Sequence, residues 1–256
     1  LYIFLFRKNQ IKLDIKYIQN EENYSVRKII WLSLIAGLLI TGNWFTYIYV
    51  VNNVSLKSAA FAYMVCPLIT ALGGYLILKE KLSTLKLIAL GFASVSIVIL
   101  AQGSLRDVLW SVLVAALYSF YLIIQRVMVQ IDKFNMLGLH LLIAALLMLP
   151  FFLSDFEFLP SDPNFWITIV VISVFFTIIP LFLSLYALIG MPSSTLGIII
   201  YINPIVAFAV AFFYFHEEIS RYQVYSYLLL LAAVIVFNWA TIKEILFKIH
   251  KIINSK

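Results

Sequence analysis

The sequence predicts an all-α, multi-pass transmembrane helical bundle. Three observations carry that expectation. Of 256 residues, 64% are hydrophobic and only 12% are charged, about half the charged share of a soluble globular domain. The apolar residues form eight continuous runs, each about the 20 residues that cross a bilayer as a helix. The Lys and Arg residues lie overwhelmingly on one side of the alternating links. Barrel strands are excluded, because they are about ten residues long and alternate in polarity.

The elements follow in chain order. "LYIFLF" at 1–6 is too short to span and precedes Arg7 and Lys8, the reverse of a signal peptide's order; it reads as the last turns of a helix whose beginning lies outside the chain. The runs are 29–51, 56–78, 83–102, 105–125, 134–153, 165–189, 194–215 and 222–242. With the link before the first run placed inside, fifteen of the eighteen Lys and Arg residues are cytoplasmic, and only Lys57, Arg106 and Arg221 are outside. The outer link 154–164 has three acids and no base. By the positive-inside rule this sets the orientation, with a cytoplasmic C-terminus. The net charge of +6 is thus a membrane signal and not one for nucleic acid. The one cysteine, Cys66, rules out a disulfide framework and a multi-thiolate metal site.

An internal repeat organises these runs. Pro67, Glu80 and Ser83 recur as Pro204, Glu217 and Ser220, offset by 137 residues, and the same offset pairs Phe45 with Phe182 and Tyr49 with Tyr186. Five crossings separate equivalent runs, so the second copy is inverted, an arrangement common in secondary transporters. Each proline sits at the centre of its run, where it removes a backbone hydrogen bond. Lipid cannot satisfy the freed carbonyl, which must face protein or a wet cavity. The pair reads as two sides of a central pathway; the alternative is a packing kink relieved by a neighbouring helix.

The stretches 42–68, "KEKLS" at 79–83 and 193–220 resemble the drug/metabolite transporter superfamily, and within its EamA family the RarD-like group. The resemblance rests on Asn43-Trp44, Asn52-Asn53, Ser194–Gly197 and Tyr201–Pro204. It covers nearly the whole chain and implies ten helices in two inverted five-helix halves. Counted so, the first helix and most of the second are missing. Residues 1–103 would form an incomplete first EamA-type repeat, 104–243 the second, and 244–256 a basic cytoplasmic tail. The chain would then continue a protein with roughly 40–50 more residues at its start, about two helices at 20 residues each. The group usually has Asn before the first proline, where this chain has Cys66; the second half keeps Asn203 before Pro204.

Polar side chains inside lipid are expensive and usually face the bundle interior. Asn43, Trp44 and Tyr47, then Cys66 and Pro67, then Tyr118, Tyr121 and Gln125, then Tyr201, Asn203 and Pro204 are therefore the expected substrate pathway. A polar-aromatic lining suits small amphipathic solutes; the bland reading is interhelical hydrogen bonding, worth about 0.6 kcal/mol each. Glu80 and Glu217 fall thirteen residues past their prolines, about 20 Å along a helix, and so at the membrane surfaces. They belong with Ser83 and Ser220 to turns that start the next helices, and Ser220 with Gln223 forms a capping box. His140, alone in its run, is either a packed hydrogen-bonded residue or a titrating relay.

An enzyme would need a nucleophile–base pair, a metal cluster or convergent carboxylates. No span has a central Asp or Glu, and no P-loop occurs, so ATP does not drive the protein directly. The expected function is secondary-active transport, and the resemblance implies export of small organic metabolites or drug-like solutes. The expected partners are the solute and the lipid bilayer, with no cofactor. A non-transporting membrane scaffold or sensor is the alternative, followed by a multi-pass lipid-modifying enzyme.

Overall fold

A computed structural model describes residues 7–20, 25–54, 56–101, 104–154, 160–193, 196, 206, 210, 213–214, 220–240 and 242–243. The described residues are helical, with no strand. In order they form α1 (Lys8–Asn20), α2 (Val26–Asn53), α3 (Leu56–Leu78), α4 (Thr84–Ala101), α5 (Leu105–Val127), α6 (Lys133–Ser154), α7 (Pro163–Val171), a π-helical segment (Ile172–Ile178), α8 (Ile179–Gly190) and α9 (Arg221–Phe237). Among the described residues five helical stretches are long and apolar enough to cross a membrane: Val26–Asn53, Phe61–Leu78, Leu105–Val127, Lys133–Ser154 and Pro163–Gly190. Two shorter apolar helices, Thr84–Leu100 and Arg221–Phe237, occupy two further expected runs. The expected run 194–215 lies almost wholly outside the described residues.

The helix limits recur at the offset found in the sequence. Val26–Asn53 shifted by 137 gives Pro163–Gly190, and Thr84 gives Arg221. Starts are fixed by short polar side chains that accept from backbone N–H groups left free at a helix's first turn. Ser83 Oγ accepts from Lys86 N at 3.4 Å, Ser104 Oγ from Asp107 N at 3.3 Å, and Asp132 Oδ1 from Asn135 N at 2.9 Å. At α9 the Ser220 N–H and hydroxyl both donate to Gln223 Oε1, at 2.9 and 3.0 Å, within the expected capping box. At the far end of α3, Lys79 takes φ 57° and the Glu80 N–H donates to the Gly74 carbonyl at 3.0 Å. That left-handed residue stops the helix and turns the chain toward α4.

The chain divides into two compact units, residues 1–45 with 120–193 and residues 46–119 with 194–256. In the first, Ile29, Met128, Ile131 and Met136 form a buried cluster under Leu32 and Ile124. Gly37 of α2 lies so close to α6 that a Cβ there would stand 2.6 Å from Ile143 Cγ2. Small residues let membrane helices approach this way, where van der Waals contact replaces the hydrophobic drive. The amphipathic α1 was not expected from the search for membrane-length runs. Arg7, just before it, forms a two-pronged ion pair with Asp132 at 2.8 and 3.0 Å, and Asp14 accepts from Asn135 Nδ2 at 2.8 Å. α7 and the π segment have no buried residue, whereas α8 buries Leu181, Leu185 and Leu188. Pro180 stands at the second position of α8, just past the π segment; a proline has no N–H to return to the preceding turn, and π turns, though rare, occur mostly as single-turn insertions within α-helices.

In the second unit α4 and α9 pack together along their length. Ser96 Oγ donates to the Ser226 carbonyl at 2.7 Å, and Lys86 Nζ lies 5.1 Å from the centre of the Phe237 ring. Rising numbers on one helix meet falling numbers on the other, so the pair is antiparallel. Its buried stripes are Ala89, Ala93 and Ser96 against Ser226, Leu230 and Ala233, and these are equivalent positions at the 137-residue offset. A second cluster joins Val50, Ala59, Ala62 and Val114, with Tyr47 and Trp110 packed on it. Ser111 donates to the Ser58 carbonyl at 2.7 Å and Ser119 to the Cys66 carbonyl at 2.9 Å. Both bonds join residues 53 apart, so α3 and α5 run parallel.

Candidate functional site

The expected pathway residues fall into two groups, one in each unit. In the second unit Pro67 is buried within α3. The residue before it, Cys66, is 1% exposed and is the centre of a polar knot. Its carbonyl accepts from Thr70 Oγ1 at 2.8 Å and from Ser119 Oγ at 2.9 Å. Its sulfur lies 3.3 Å from Ser119 Oγ and 3.8 Å from Thr70 Oγ1. The carbonyl beside the proline thus accepts from two protein hydroxyls, one from its own helix and one from α5, while the carbonyl that Pro67 leaves without its usual donor is that of Tyr63. Tyr47 packs edge-on against Tyr63, ring centres 5.6 Å apart. Tyr118 is half-buried on α5.

In the first unit Asn43 is buried and Trp44 half-buried on α2. Tyr121 and Gln125, one turn apart on α5, are completely buried. Tyr121 Oη lies 3.4 Å from His140 Nδ1 on α6, with the rings edge-on at 5.6 Å. Lys133, at the start of α6, is buried too and turns back to donate to the Met128 carbonyl at 2.8 Å and the Gln125 carbonyl at 3.5 Å. Lys133 thereby closes the C-terminal turn of α5, where carbonyls lack partners and a cation is favoured. Arg126 donates to the Leu188 carbonyl of α8.

Tyr201, Asn203, Pro204 and Glu217 lie outside the described residues. Glu80, Ser83 and Ser220 sit at helix ends, in the turns described above. Asn52 and Asn53 each donate their side-chain amide to the carbonyl four residues back, Ile48 at 2.9 Å and Tyr49 at 3.0 Å, and so cap the end of α2. A cavity of about 720 Å³ in the first unit is lined by Arg7, Gln10, Asp132, Phe134, Phe182 and Tyr186, and by none of the expected pathway residues.

Sequence reasoning missed three contributors. Ser119 and Thr70 were passed over as small residues in apolar runs, although Thr70 stands four positions after Cys66, the spacing at which a hydroxyl reaches back to a carbonyl. Lys133 counted only as a cytoplasmic charge. Metal binding finds no support in the described residues, where no group of three His, Cys, Asp or Glu side chains converges.

Comparison with known proteins agrees with this architecture. Residues 1–102 and 105–239 match the EamA-like transporter family. The chain is 28% identical over 214 residues to the uncharacterised transporter YojE of Bacillus subtilis, covering 82% of this chain and 70% of that one. It is 29% identical over 222 residues to the protein RarD of Streptomyces exfoliatus, covering 83% and 68%. An uncharacterised transporter of Pseudomonas aeruginosa is 32% identical over 225 residues, covering 82% and 72%. One solved crystal structure superposes with a TM-score of 0.56 at 20% identity, covering 82% of this chain and 76% of that one, and so shares the fold. With long apolar helices, a family match across almost its whole length and transporter-named relatives, the chain belongs to the EamA-like transporter family of multi-pass membrane proteins.

Proposed function

We propose that this protein is a secondary-active carrier that exports small organic metabolites or drug-like solutes across the bacterial inner membrane. The observation that carries the reading is the burial of Asn43, Tyr121 and Gln125 within helices of membrane length. Polar groups are costly there and are kept mainly where they serve packing or a pathway. The residues proposed to meet the solute are Asn43, Trp44, Tyr121 and Gln125 of the first unit and Tyr47, Cys66, Pro67 and Tyr118 of the second, together with Tyr201, Asn203 and Pro204 of the sequence. The antiparallel pairing of α4 with α9 supports division into inverted repeats at 1–103 and 104–243. Energy comes from an ion or solute gradient, since the sequence has no phosphate-binding loop. The protein needs no cofactor and catalyses no covalent step.

A packing role has one specific observation in its favour, the Cys66–Ser119–Thr70 knot, which holds the proline-bearing helix to α5 without any solute. The two readings separate by experiment. Asn43→Ala and Asn203→Ala are expected to reduce solute flux in proteoliposomes while folded protein stays near normal. Parallel loss of flux and folded protein would assign these side chains to helix packing.

A further inference from the structure

The seam between α5 and α6 in the first unit holds more hydrogen-bonding capacity than it uses. Tyr121 and Gln125 share one face of α5, and Lys133 and His140 stand two turns apart on the facing side of α6. The contact between Tyr121 Oη and His140 Nδ1 occupies one imidazole nitrogen, and the Met128 and Gln125 carbonyls occupy the Lys133 ammonium. Three atoms are left over. Gln125 Oε1, Gln125 Nε2 and His140 Nε2 have no hydrogen-bond partner among the described residues, although Gln125 is 0% and His140 1% exposed. Natural proteins rarely leave such groups unpaired, and each one asks for an explanation.

We infer that Gln125 and His140 grip the polar head of the transported solute, and that this head is neutral or anionic, not cationic. The inference rests on the carrier reading above and adds the charge class of the substrate. A carboxamide offers two donors and an acceptor, and an imidazole nitrogen offers one further donor or acceptor. That set matches an amide, a hydroxyl or a carboxylate. Lys133 is the charge buried in the seam; Arg126 stands beside Gln125, and Asp14 and Asp132 lie near the Lys133 end, Asp132 paired with Arg7 and Asp14 held by Asn135. From α5 the titratable group facing His140 is Tyr121. The α7–α8 stretch has no charged residue, and the charges of α2 are Arg27 and Lys28 at its start. With Asp132 already paired to Arg7, the charges of Lys133 and Arg126 leave this end of the seam net positive, which disfavours a cation in a medium where an unpaired charge is costly and favours an anion. Tyr121 is a positioning residue that fixes the imidazole. The seam is closed in this structure, so the solute enters when α5 and α6 part.

The test uses the purified full chain in lipid nanodiscs with three probes that share one ring and differ in the head: benzamide, benzoate and benzylammonium. Benzamide, benzoate or both should raise the thermal midpoint, and benzylammonium should not. Gln125→Leu removes two orphaned atoms at nearly constant volume, so it should leave the probe-free midpoint unchanged or higher while weakening probe affinity about tenfold or more. His140→Phe should weaken probe affinity likewise, and if it does not fold, Gln125→Leu carries the test alone. A midpoint lowered by Gln125→Leu with probe binding intact would show a purely structural amide and overturn the inference. So would a benzylammonium shift equal to the others, or a parent chain that none of the probes shifts at millimolar concentration. Solute flux in proteoliposomes that survives both substitutions would overturn this site and leave the carrier reading standing.

Discussion

Gly37 tests the close packing of α2 on α6 directly. In Gly37→Ala the new Cβ would stand 2.6 Å from Ile143 Cγ2, 2.9 Å from its Cβ and 3.0 Å from its Cδ1. Ordinary carbon contacts lie at about 3.5–4.0 Å, so the helices must separate by up to about an ångström or Ile143 must leave its rotamer. Overpacking of this kind costs about 1–3 kcal/mol, which outweighs the gain of up to about 1 kcal/mol from replacing glycine within a helix. Gly91 supplies the control, because a Cβ there meets nothing within 4 Å; Gly91→Ala should be neutral or stabilising by up to about 1 kcal/mol. The assay is reversible unfolding in mixed micelles. Ile143→Ala removes the two carbons nearest the clash except the Cβ, so combining it with Gly37→Ala should cost less than the two single changes added together. A Gly37→Ala protein as stable as the parent, or strict additivity in the double variant, would refute the close approach.

Three further outcomes follow from the same reasoning. A reporter fused after Lys256 should be cytoplasmic and one inserted near Ser161 periplasmic, and a reversal of either would sink the orientation drawn from the Lys and Arg bias. Ser220→Ala should destabilise the protein by about 1 kcal/mol in the same unfolding assay, by removing the hydroxyl from the capping box of α9; no change would mean that Gln223 alone holds the helix start. Cys66, buried against Ser119, should react with a small polar thiol reagent only while the carrier turns over, with solute slowing the reaction, and inertness throughout would favour the packing kink at Pro67.

What the sequence determined by itself was the solvent, the spans and their period. Continuous apolar length is a one-dimensional property, because a helix of about 20 residues satisfies its own backbone and needs no partner to cross a bilayer. Hence the expected runs 29–51, 105–125 and 134–153 lie within Val26–Asn53, Leu105–Val127 and Lys133–Ser154. Helix starts at Ser83 and Ser220 were legible for the same reason, since a cap acts within four residues. The offset of 137, read from a few landmarks, reappears in the helix limits and in the buried stripes of α4 and α9. α1 escaped notice because its apolar positions alternate with Lys, Asn, Gln and Asp and so never reach the continuous apolar length from which the spans were read; the structure lays its Asp14 against Asp132 and Asn135. Partner choice was beyond the sequence altogether. Almost every face of these helices is apolar, so periodicity does not separate a protein-facing side from a lipid-facing one. Only the tertiary structure could decide that Ser119 reaches Cys66, that Gly37 admits Ile143, and that His140 meets Tyr121 while the Gln125 side-chain amide finds no partner among the described residues. Those pairings depend on the register of one helix against another, which distances of an ångström fix and residue type alone does not.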